Sequence, residues 1–198
     1  MAITKTKRKL TLSGLVIISV AILLFATLGS CQISYLTQAM AGHFRIMHSR
    51  KSIEKILKTN QLSIESQKKL KLVLEIHEYA IRELSLPDNK SYTVYAEIED
   101  QYPGWNVYCA PKLSIEPKTW CYPIAGCVVY HGYFKKEKAF EFAEKMKQEG
   151  YDVYVSPFTA YSTLGWYKDP ILSTHLTYDS LRLAGLIIHE LAHQKFYV

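Results

Sequence analysis

The sequence predicts an α+β domain, with helices towards both ends of the chain and strands between them. Residues 63–84 and 181–196 carry apolar side chains at the three- and four-residue spacing of a buried helix face. Short segments between residues 91 and 155 alternate apolar and polar side chains, which is typical of half-buried strands. A strand, helix, strand run among them predicts a crossover unit. The chain has 198 residues, which is enough for one such domain with a buried core.

The charge of the chain gives no reason to expect a nucleic-acid partner. The formal net charge is +6, but four of the basic residues lie within the first ten residues of the chain: Lys5, Lys7, Arg8 and Lys9. Without residues 1–30 the balance is 20 basic against 18 acidic side chains, a difference of +2. A domain so close to neutral lacks the strong positive charge that attracts phosphate backbones.

The first 30 residues have the pattern of an export signal. The basic cluster precedes an uncharged stretch from Leu10 to Leu28, and small residues follow it. Leu28-Gly29-Ser30-Cys31 resembles the lipobox of bacterial lipoproteins, in which the cysteine becomes the lipidated first residue after cleavage. We therefore expect a lipoprotein signal peptide over residues 1–30 and a single domain over residues 31–198.

This signal predicts a protein that is exported to the periplasm and held at a bacterial membrane by lipid on Cys31. Gln32 follows the cysteine, in place of the Asp that resembles an inner-membrane retention signal, so the outer membrane is favoured. The alternative is an uncleaved membrane helix, because the apolar stretch approaches the roughly 20 residues that span a bilayer. Both interpretations export the rest of the chain.

Export permits disulfide bonds, and three cysteines remain after Cys31. Cys121 and Cys127 flank Tyr-Pro-Ile-Ala-Gly, in which the Pro and the Gly could fold the chain back into a turn. We expect these two cysteines to pair, and Cys109 to be buried and inert. A zinc site built from cysteines is disfavoured, because the sequence has no Cys-x-x-Cys pair.

The segments before residue 90 are predicted to be helical. Residues 32–58 form an irregular helical region, in which His43 and His48 are five residues apart. That spacing is poor for a shared metal on a helix, so we interpret both as surface side chains. A stronger helix runs from Ser63, which suits an N-cap, to Leu84.

The middle of the chain is predicted to form a sheet with one helix. Residues 91–98 form a half-buried strand, with Tyr92 and Val94 facing the same way. The remaining elements are strands over 105–110, 127–134 and 151–155, and an amphipathic helix over 135–148 that Gly150 closes. The aromatic, turn-rich stretch 161–175 is either a surface hairpin or an extended segment that binds peptide backbone as an added strand.

The last helix carries the residues with the clearest chemistry. Asp179 or Ser180 caps it, and it is apolar on nearly all sides, which predicts a helix inside the domain. His189-Glu190-x-x-His193 places two histidines four residues apart on one helix face, where both can bind one zinc ion. Glu190 lies next to the first ligand, where it can take a proton from zinc-activated water. The expected metal ligands are thus His189 and His193, with Glu190 as the catalytic residue and Zn²⁺ as the cofactor.

The motif is one of several stretches of the sequence that together resemble the same protein family. They are Leu86 to Asn89, Ser91-Tyr92, Trp105 to Val107, Trp120-Cys121, Gly126-Cys127, Tyr130, Gly132 to Phe134, Gly150 to Tyr154, Ala160 to Trp166, Asp169-Pro170, Leu172 to Thr174 and Leu186 to Gln194. With them the sequence resembles a bacterial family of putative aminopeptidases, zinc metallopeptidases that are often lipoproteins. The resemblance implies a zincin-like metallopeptidase domain with a mixed sheet, a peptide substrate, and Glu190 as general base and proton shuttle.

The resemblance also implies one more zinc ligand than the motif contains. Family members continue past this helix to an Asn-Glu segment, whose glutamate resembles the third ligand that a catalytic zinc needs. Five residues follow His193 in this chain, and none of them matches that segment. We therefore expect a domain that is truncated after the helix and incomplete at its C-terminus. Asp169, His175 and Asp179 are the nearest alternative ligands upstream.

Two other classes of function stay open. A truncated or pseudo-peptidase lipoprotein would be catalytically inactive and would act as a binding or structural module, folded without stoichiometric zinc. A membrane-associated assembly factor is favoured if the N-terminal segment remains uncleaved. No residue in the sequence identifies the substrate.

Overall fold

The computed structural model describes Gly14, Val16, Ser19 and residues 30–122, 126–163 and 165–196. The chain divides into two units, residues 1–40 and 41–198. In the first unit every described residue is helical. Within the described part of the chain, no helix is both long enough and apolar enough to cross a membrane. Most of the predicted signal peptide over residues 1–30 lies outside that part.

Five helices and eight short strands make up the described structure. The helices are α1 (Ser30–His48), α2 (Ile53–Thr59), α3 (Ile64–Arg82), α4 (Lys136–Gln148) and α5 (Ser180–His193), with a 3₁₀ helix over Ser173–Thr177. The strands are β1 (Lys51–Ser52), β2 (Val94–Ala96), β3 (Gly104–Pro111), β4 (Trp120–Tyr122), β5 (Gly126–Val128), β6 (His131–Tyr133), β7 (Tyr151–Phe158) and β8 (Ile171–Leu172). This mixture confirms the predicted α+β class.

The main core lies between α3 and α5. Both helices start at a residue that caps them: the Ser63 hydroxyl accepts from the Ser66 N–H at 3.1 Å, and Asp179 accepts from the Arg182 N–H at 2.8 Å. The buried apolar residues of the two helices are Leu70, Val73, Ile76, Ala80, Leu183, Ile187 and Leu191. Burial of such a set provides most of the favourable free energy of folding.

One small sheet lies against this core, and its strands run in both directions. β2 is its central strand, antiparallel to β1 and parallel to β8. Tyr95 of β2 is paired with Ile171 of β8, and both side chains are buried in the main core. This mixed sheet therefore connects the N-terminal helices to the segment that leads into α5.

A second sheet has the order β6-β3-β7, with β3 antiparallel to both neighbours. β6 and β7 are therefore parallel to each other, and α4 connects them across the sheet, as the strand, helix, strand run predicts. α4 buries Ala139, Ala143 and Met146. Gly150 follows it with φ +91°, a left-handed conformation that favours glycine.

The third sheet is a hairpin of β4 and β5, in which Cys121 and Cys127 are directly paired. The two cysteines form a disulfide with a Cα–Cα distance of 3.9 Å, at the positions where the sequence predicts one. The turn expected from the Pro and Gly between them falls on residues 123–125, which lie outside the described residues. Cys109 is a free, buried thiol.

The strand predicted over residues 91–98 is wrong at its beginning. Only Val94–Ala96 pair as a strand, and Tyr92 has φ +62°, a left-handed conformation incompatible with a strand. Tyr92 and Tyr95 are both buried, so the expected alternation of faces fails as well. The predicted strand over 127–134 is likewise two strands, β5 and β6, separated by a bend at residues 129–130.

A buried histidine in the second sheet gives a prediction about acid stability. The His131 ring stacks on Phe142 at a centroid distance of 4.5 Å, and burial lowers its pKa to about 4. The unfolded chain, with an ordinary pKa of about 6.5, therefore binds a proton that the folded protein excludes. The contribution of His131 to the free energy of unfolding is fully present above about pH 6.5 and is lost progressively as the pH drops towards 4.

We expect the free energy of unfolding to fall by roughly 1–2 kcal/mol between pH 7 and pH 5 in the wild type, and by clearly less in His131→Phe. Guanidinium unfolding at the two pH values measures this difference. The exposed His48 provides a control, since His48→Phe should keep the wild-type dependence. An equal loss in wild type and His131→Phe would contradict the assignment.

Candidate metal centre

The last two turns of α5 bring two imidazoles together. The Nε2 atoms of His189 and His193 are 2.9 Å apart, and the ring planes are at 86°. Two imidazoles bound to one tetrahedral zinc at about 2.0–2.1 Å would have nitrogens about 3.3 Å apart. Small rotations of the rings would produce that separation, so the pair fits two of the ligand positions of a zinc ion.

The described residues contain no group of three or more His, Cys, Asp or Glu side chains that could hold a metal ion. The upstream residues named as alternative ligands have other roles. His175 is buried, its Nδ1 accepts from the Leu172 N–H at 3.2 Å, and its Nε2 donates to the Thr159 carbonyl at 2.7 Å. Asp179 caps the opposite end of α5, about 15 Å from His189 along the helix axis at 1.5 Å per residue.

Asp169, the third alternative, is buried and holds a loop in place. Its carboxylate accepts from the Thr163 N–H at 2.9 Å, the Thr163 hydroxyl at 2.6 Å and the Ser162 hydroxyl at 3.4 Å. Burial raises the pKa of this carboxyl group, and the hydrogen bonds from Thr163 and Ser162 oppose the rise. The donors occupy the carboxylate, so Asp169 organises the residues beside the histidine pair instead of binding a metal.

The loop that Asp169 holds is attached to the end of α5. The Trp166 N–H donates to the Thr163 carbonyl at 3.1 Å, which closes a turn with Gly165 at φ +85° in its third position. The Gly165 carbonyl accepts from the Asn89 side chain at 3.3 Å, and a side chain at Gly165 would come within 3.4 Å of the Gln194 amide. Gln194 directly follows His193, so the loop lies next to the candidate site.

The segment around residue 90 completes this junction. The Ser91 hydroxyl accepts from the Gln194 side chain at 3.4 Å and from the Asp169 N–H at 3.2 Å, and it donates to the Tyr167 carbonyl at 3.3 Å. The Tyr92 N–H donates to the Asp169 carbonyl at 2.6 Å. Three segments that are far apart in sequence thus meet at the end of the helix that carries the histidines.

Glu190 lies on the flank of α5, between the buried face and the histidine pair. It is half-buried, and burial raises the pKa of its carboxyl group, whereas the nearby His189 and His193 lower it. The charge of Asp169 also raises the pKa of Glu190, and the side chain of Ser162 lowers it. A carboxyl group in this position can accept a proton beside the two imidazoles.

The prediction that α5 is buried on nearly all sides is wrong. Its inner face packs on α3, but Leu181 is 85% exposed, and Gly185 and His189 are also exposed. The described elements pack on one side of the helix only. His189 is therefore open to solvent, while His193 and Glu190 are half-buried.

The interpretation of His43 as a solvated surface residue is also wrong. His43 is half-buried, and its Nδ1 is 2.5 Å from the hydroxyl of Tyr161, just before the loop that Asp169 holds. Burial lowers the pKa of His43. His48, by contrast, is exposed as expected.

The sequence gives no role to Tyr92, Ser162 and Gln194, which the structure places around Glu190 and His193. Each lies in one of the stretches that match the family pattern, which is the only signal in the sequence that groups them. Their spacing along the chain carries no information about contact, because they come from a turn, a loop and a helix end.

The comparisons with known proteins bear on this site directly. A family model described as "Putative aminopeptidase" matches residues 34–198, which include every residue discussed around the histidine pair. Neither the comparison with curated proteins nor the comparison with solved structures finds a match.

Two glycines near the site make a matched pair for measuring how rigidly the loop is held. Gly165 has a left-handed backbone, and an added Cβ would lie 2.7 Å from the Asn89 amide nitrogen. We expect Gly165→Ala to lower the free energy of unfolding by about 1–3 kcal/mol. Gly185 is helical, and an added Cβ would have no atom within 4 Å. Gly185→Ala should therefore raise the free energy of unfolding by about 0.5–1 kcal/mol.

Urea unfolding of the wild type and of the two variants measures both changes in the free energy of unfolding. Equal stability in Gly165→Ala and the wild type would show that the turn adapts without cost and does not hold the loop against the helix end.

Proposed function

The chain belongs to the family of putative aminopeptidases, and on that premise we propose that it hydrolyses peptide bonds at a zinc site. The observation that carries the proposal is the convergence of the His189 and His193 Nε2 atoms, 2.9 Å apart, beside the half-buried carboxyl group of Glu190. Two nitrogen ligands on one helix face and an adjacent carboxylate are the arrangement that zinc peptidases use for hydrolysis. A zincin-like relationship of the fold is part of the same proposal.

His189 and His193 would hold the metal, each through Nε2. A zinc ion supplies Lewis-acid chemistry, since it acidifies water and polarises a carbonyl group. The exposed position of His189 supports this assignment, because a peptide must reach the site from solvent. The described residues provide two ligands, and the remaining position or positions need a donor from outside that set.

Glu190 would serve as the general base. Its carboxylate takes a proton from the attacking water and delivers it to the leaving amine as the peptide bond breaks. Burial, which raises its pKa, makes it a stronger base than an exposed glutamate, and so favours proton uptake. That the substrate is a peptide with a free amino terminus is implied by the family description alone.

A non-catalytic module is the second candidate. The observation that favours it is that the described residues contain no group of three possible metal ligands. In that case the fold and the loop around Asp169 would be retained without stoichiometric zinc. Metal content and activity separate the two proposals.

We expect purified protein to bind about one zinc ion and to cleave aminoacyl substrates. His189→Ala should lose the metal and the activity together, because one imidazole is a weak zinc site. Glu190→Gln should keep the metal and lose activity by about a thousandfold, because it removes the base. Elemental analysis and cleavage of aminoacyl anilides measure these changes.

The exposed His48 provides the matched control, and His48→Ala should change neither zinc content nor rate. Folded wild-type protein without stoichiometric zinc and without cleavage would favour the non-catalytic module. Zinc content and cleavage that are the same in wild type, His189→Ala and Glu190→Gln would refute the assignment of the site.

We also propose that the protein is exported and anchored to a bacterial membrane by lipid on Cys31, facing the periplasm. The support is the sequence pattern of residues 1–31, which combines a basic start, an apolar stretch and a lipobox.

Mass spectrometry of the mature N-terminus tests the anchor. We expect the first residue to be Cys31 carrying lipid, and we expect Cys31→Ala protein to lose the lipid and to leave the membrane fraction. An intact Met1 in membrane-bound protein would contradict cleavage and support an uncleaved helix.

A further inference from the structure

Trp166 is a large apolar side chain that the fold leaves in solvent. It is 79% exposed, although tryptophan side chains are on average highly buried. It directly follows Gly165, in the turn that begins at Thr163 and that the Asp169 carboxylate holds. Tryptophan is enriched among the side chains that dominate binding interfaces. An exposed indole on a turn that is held in place therefore indicates a surface that a ligand completes.

Hydrogen bonds hold the backbone on both sides of this side chain. The Trp166 N–H donates to the Thr163 carbonyl at 3.1 Å, and the Tyr167 N–H donates to the Thr163 hydroxyl at 3.0 Å. The Tyr167 carbonyl accepts from the Ser91 hydroxyl at 3.3 Å. With its backbone fixed, the indole moves only about its two side-chain torsions, so it loses little conformational entropy when it binds a ligand.

The turn lies against the end of the helix that carries the histidine pair. A Cβ at Gly165 would be 3.4 Å from the side-chain oxygen of Gln194, so the backbone of the turn approaches the helix end closely. Trp166 directly follows Gly165, and His193 directly precedes Gln194. Consecutive Cα atoms are about 3.8 Å apart, and an extended peptide advances about 3.3 Å per residue. A peptide at the metal site would therefore reach the indole within a few residues of the bond that is cleaved.

We infer that Trp166 is a substrate-binding residue, which packs against a large apolar side chain of the peptide at the candidate metal site. The indole offers a flat apolar surface, and packing on it removes apolar surface of both partners from water. The inference rests on the proposed function, because that function supplies the peptide. Contact between an apolar peptide and the indole can be measured without cleavage, so the inference and the proposed function can fail separately.

The chain contains a matched control for this residue. Leu181 is also an exposed apolar side chain, at 85%, and it lies on α5, the helix of the histidine pair. It precedes His189 by eight residues, which is about 12 Å along the axis at 1.5 Å per residue. Leu181→Ala therefore removes exposed apolar surface at the opposite end of the helix, away from the turn.

The first experiment measures binding and needs no cleavage. Full-length Glu190→Gln protein is titrated with trileucine or with triglycine, and tryptophan fluorescence is recorded. We expect trileucine to move the emission to shorter wavelength, because the indole of Trp166 leaves water, and triglycine at the same concentration to leave it in place. Adding Trp166→Phe should abolish the shift, and adding Leu181→Ala should keep it. An emission that trileucine does not move, or that moves equally with Trp166→Phe, would overturn the inference, whatever the protein is found to catalyse.

The second experiment measures cleavage of trileucine and trialanine by chromatography of the products. We expect Trp166→Ala to raise KM for trileucine about tenfold and to leave kcat within twofold, because the contact is the same in the ground state and in the transition state. KM for trialanine and the zinc content should stay within twofold of the wild type. Trp166→Phe, which keeps a flat ring, should recover most of the KM, and Leu181→Ala should change neither peptide's kinetics.

The outcomes separate the two proposals. A fluorescence shift with trileucine in a protein that cleaves nothing would support the contact and remove the proposed function. Zinc-dependent cleavage of trileucine with the same KM in wild type and Trp166→Ala would overturn the inference alone. An equal fall of kcat for both peptides would assign Trp166 a structural role and overturn its role in binding. A shift that appears without peptide as the protein concentration rises would also overturn the inference, in favour of contact between two copies of the chain.

Discussion

The arrangement around the candidate site depends on one buried carboxylate, that of Asp169. Its oxygens accept three hydrogen bonds from Ser162 and Thr163, and its backbone is bonded to Ser91 and Tyr92. Burying a carboxylate is unfavourable unless donors replace its water, and the three donors do so here. Burial raises the pKa of Asp169, and the positive charge of Arg50, which donates to the neighbouring Lys168 carbonyl at 2.7 Å, opposes part of that rise. Asp169 therefore joins two segments, since its side chain holds residues 162–163 and its backbone holds residues 91–92.

This constraint explains how a helix exposed on its outer face can carry an ordered site. The inner face of α5 is held by the core with α3, and its C-terminal end is held by the hydrogen bond from the Gln194 side chain to the Ser91 hydroxyl. His189 is exposed, whereas His193 and Glu190 are half-buried. The residues proposed as metal ligands thus include one that solvent reaches, while the proposed base is partly enclosed.

The parts of the fold that could be predicted from sequence are those whose cause is local. The caps at Ser63 and Asp179 and the crossover helix α4 follow from side-chain chemistry and from periodicity over adjacent residues. Tyr92 could not be predicted, because the apolar alternation of residues 92–98 fits a strand equally well. Its left-handed backbone is stabilised by a hydrogen bond to Asp169, which periodicity does not report. The histidine pair was visible as a motif, whereas the contacts of Asp169 with residues 162–163 and 91–92 exist only after folding.

The charges around the two histidines support the proposal of a metal ion. Two imidazole nitrogens 2.9 Å apart repel each other if both carry a lone pair or both carry a hydrogen, so without a metal ion one ring donates an N–H to the other. Glu190 lies beside them and Asp169 lies behind Glu190, and two carboxylates in a partly buried region produce a negative potential that favours positive charge. A hydrogen bond between two neutral imidazoles adds no charge. A divalent ion at the proposed site would use both lone pairs and add two positive charges, which the nearby carboxylates would stabilise.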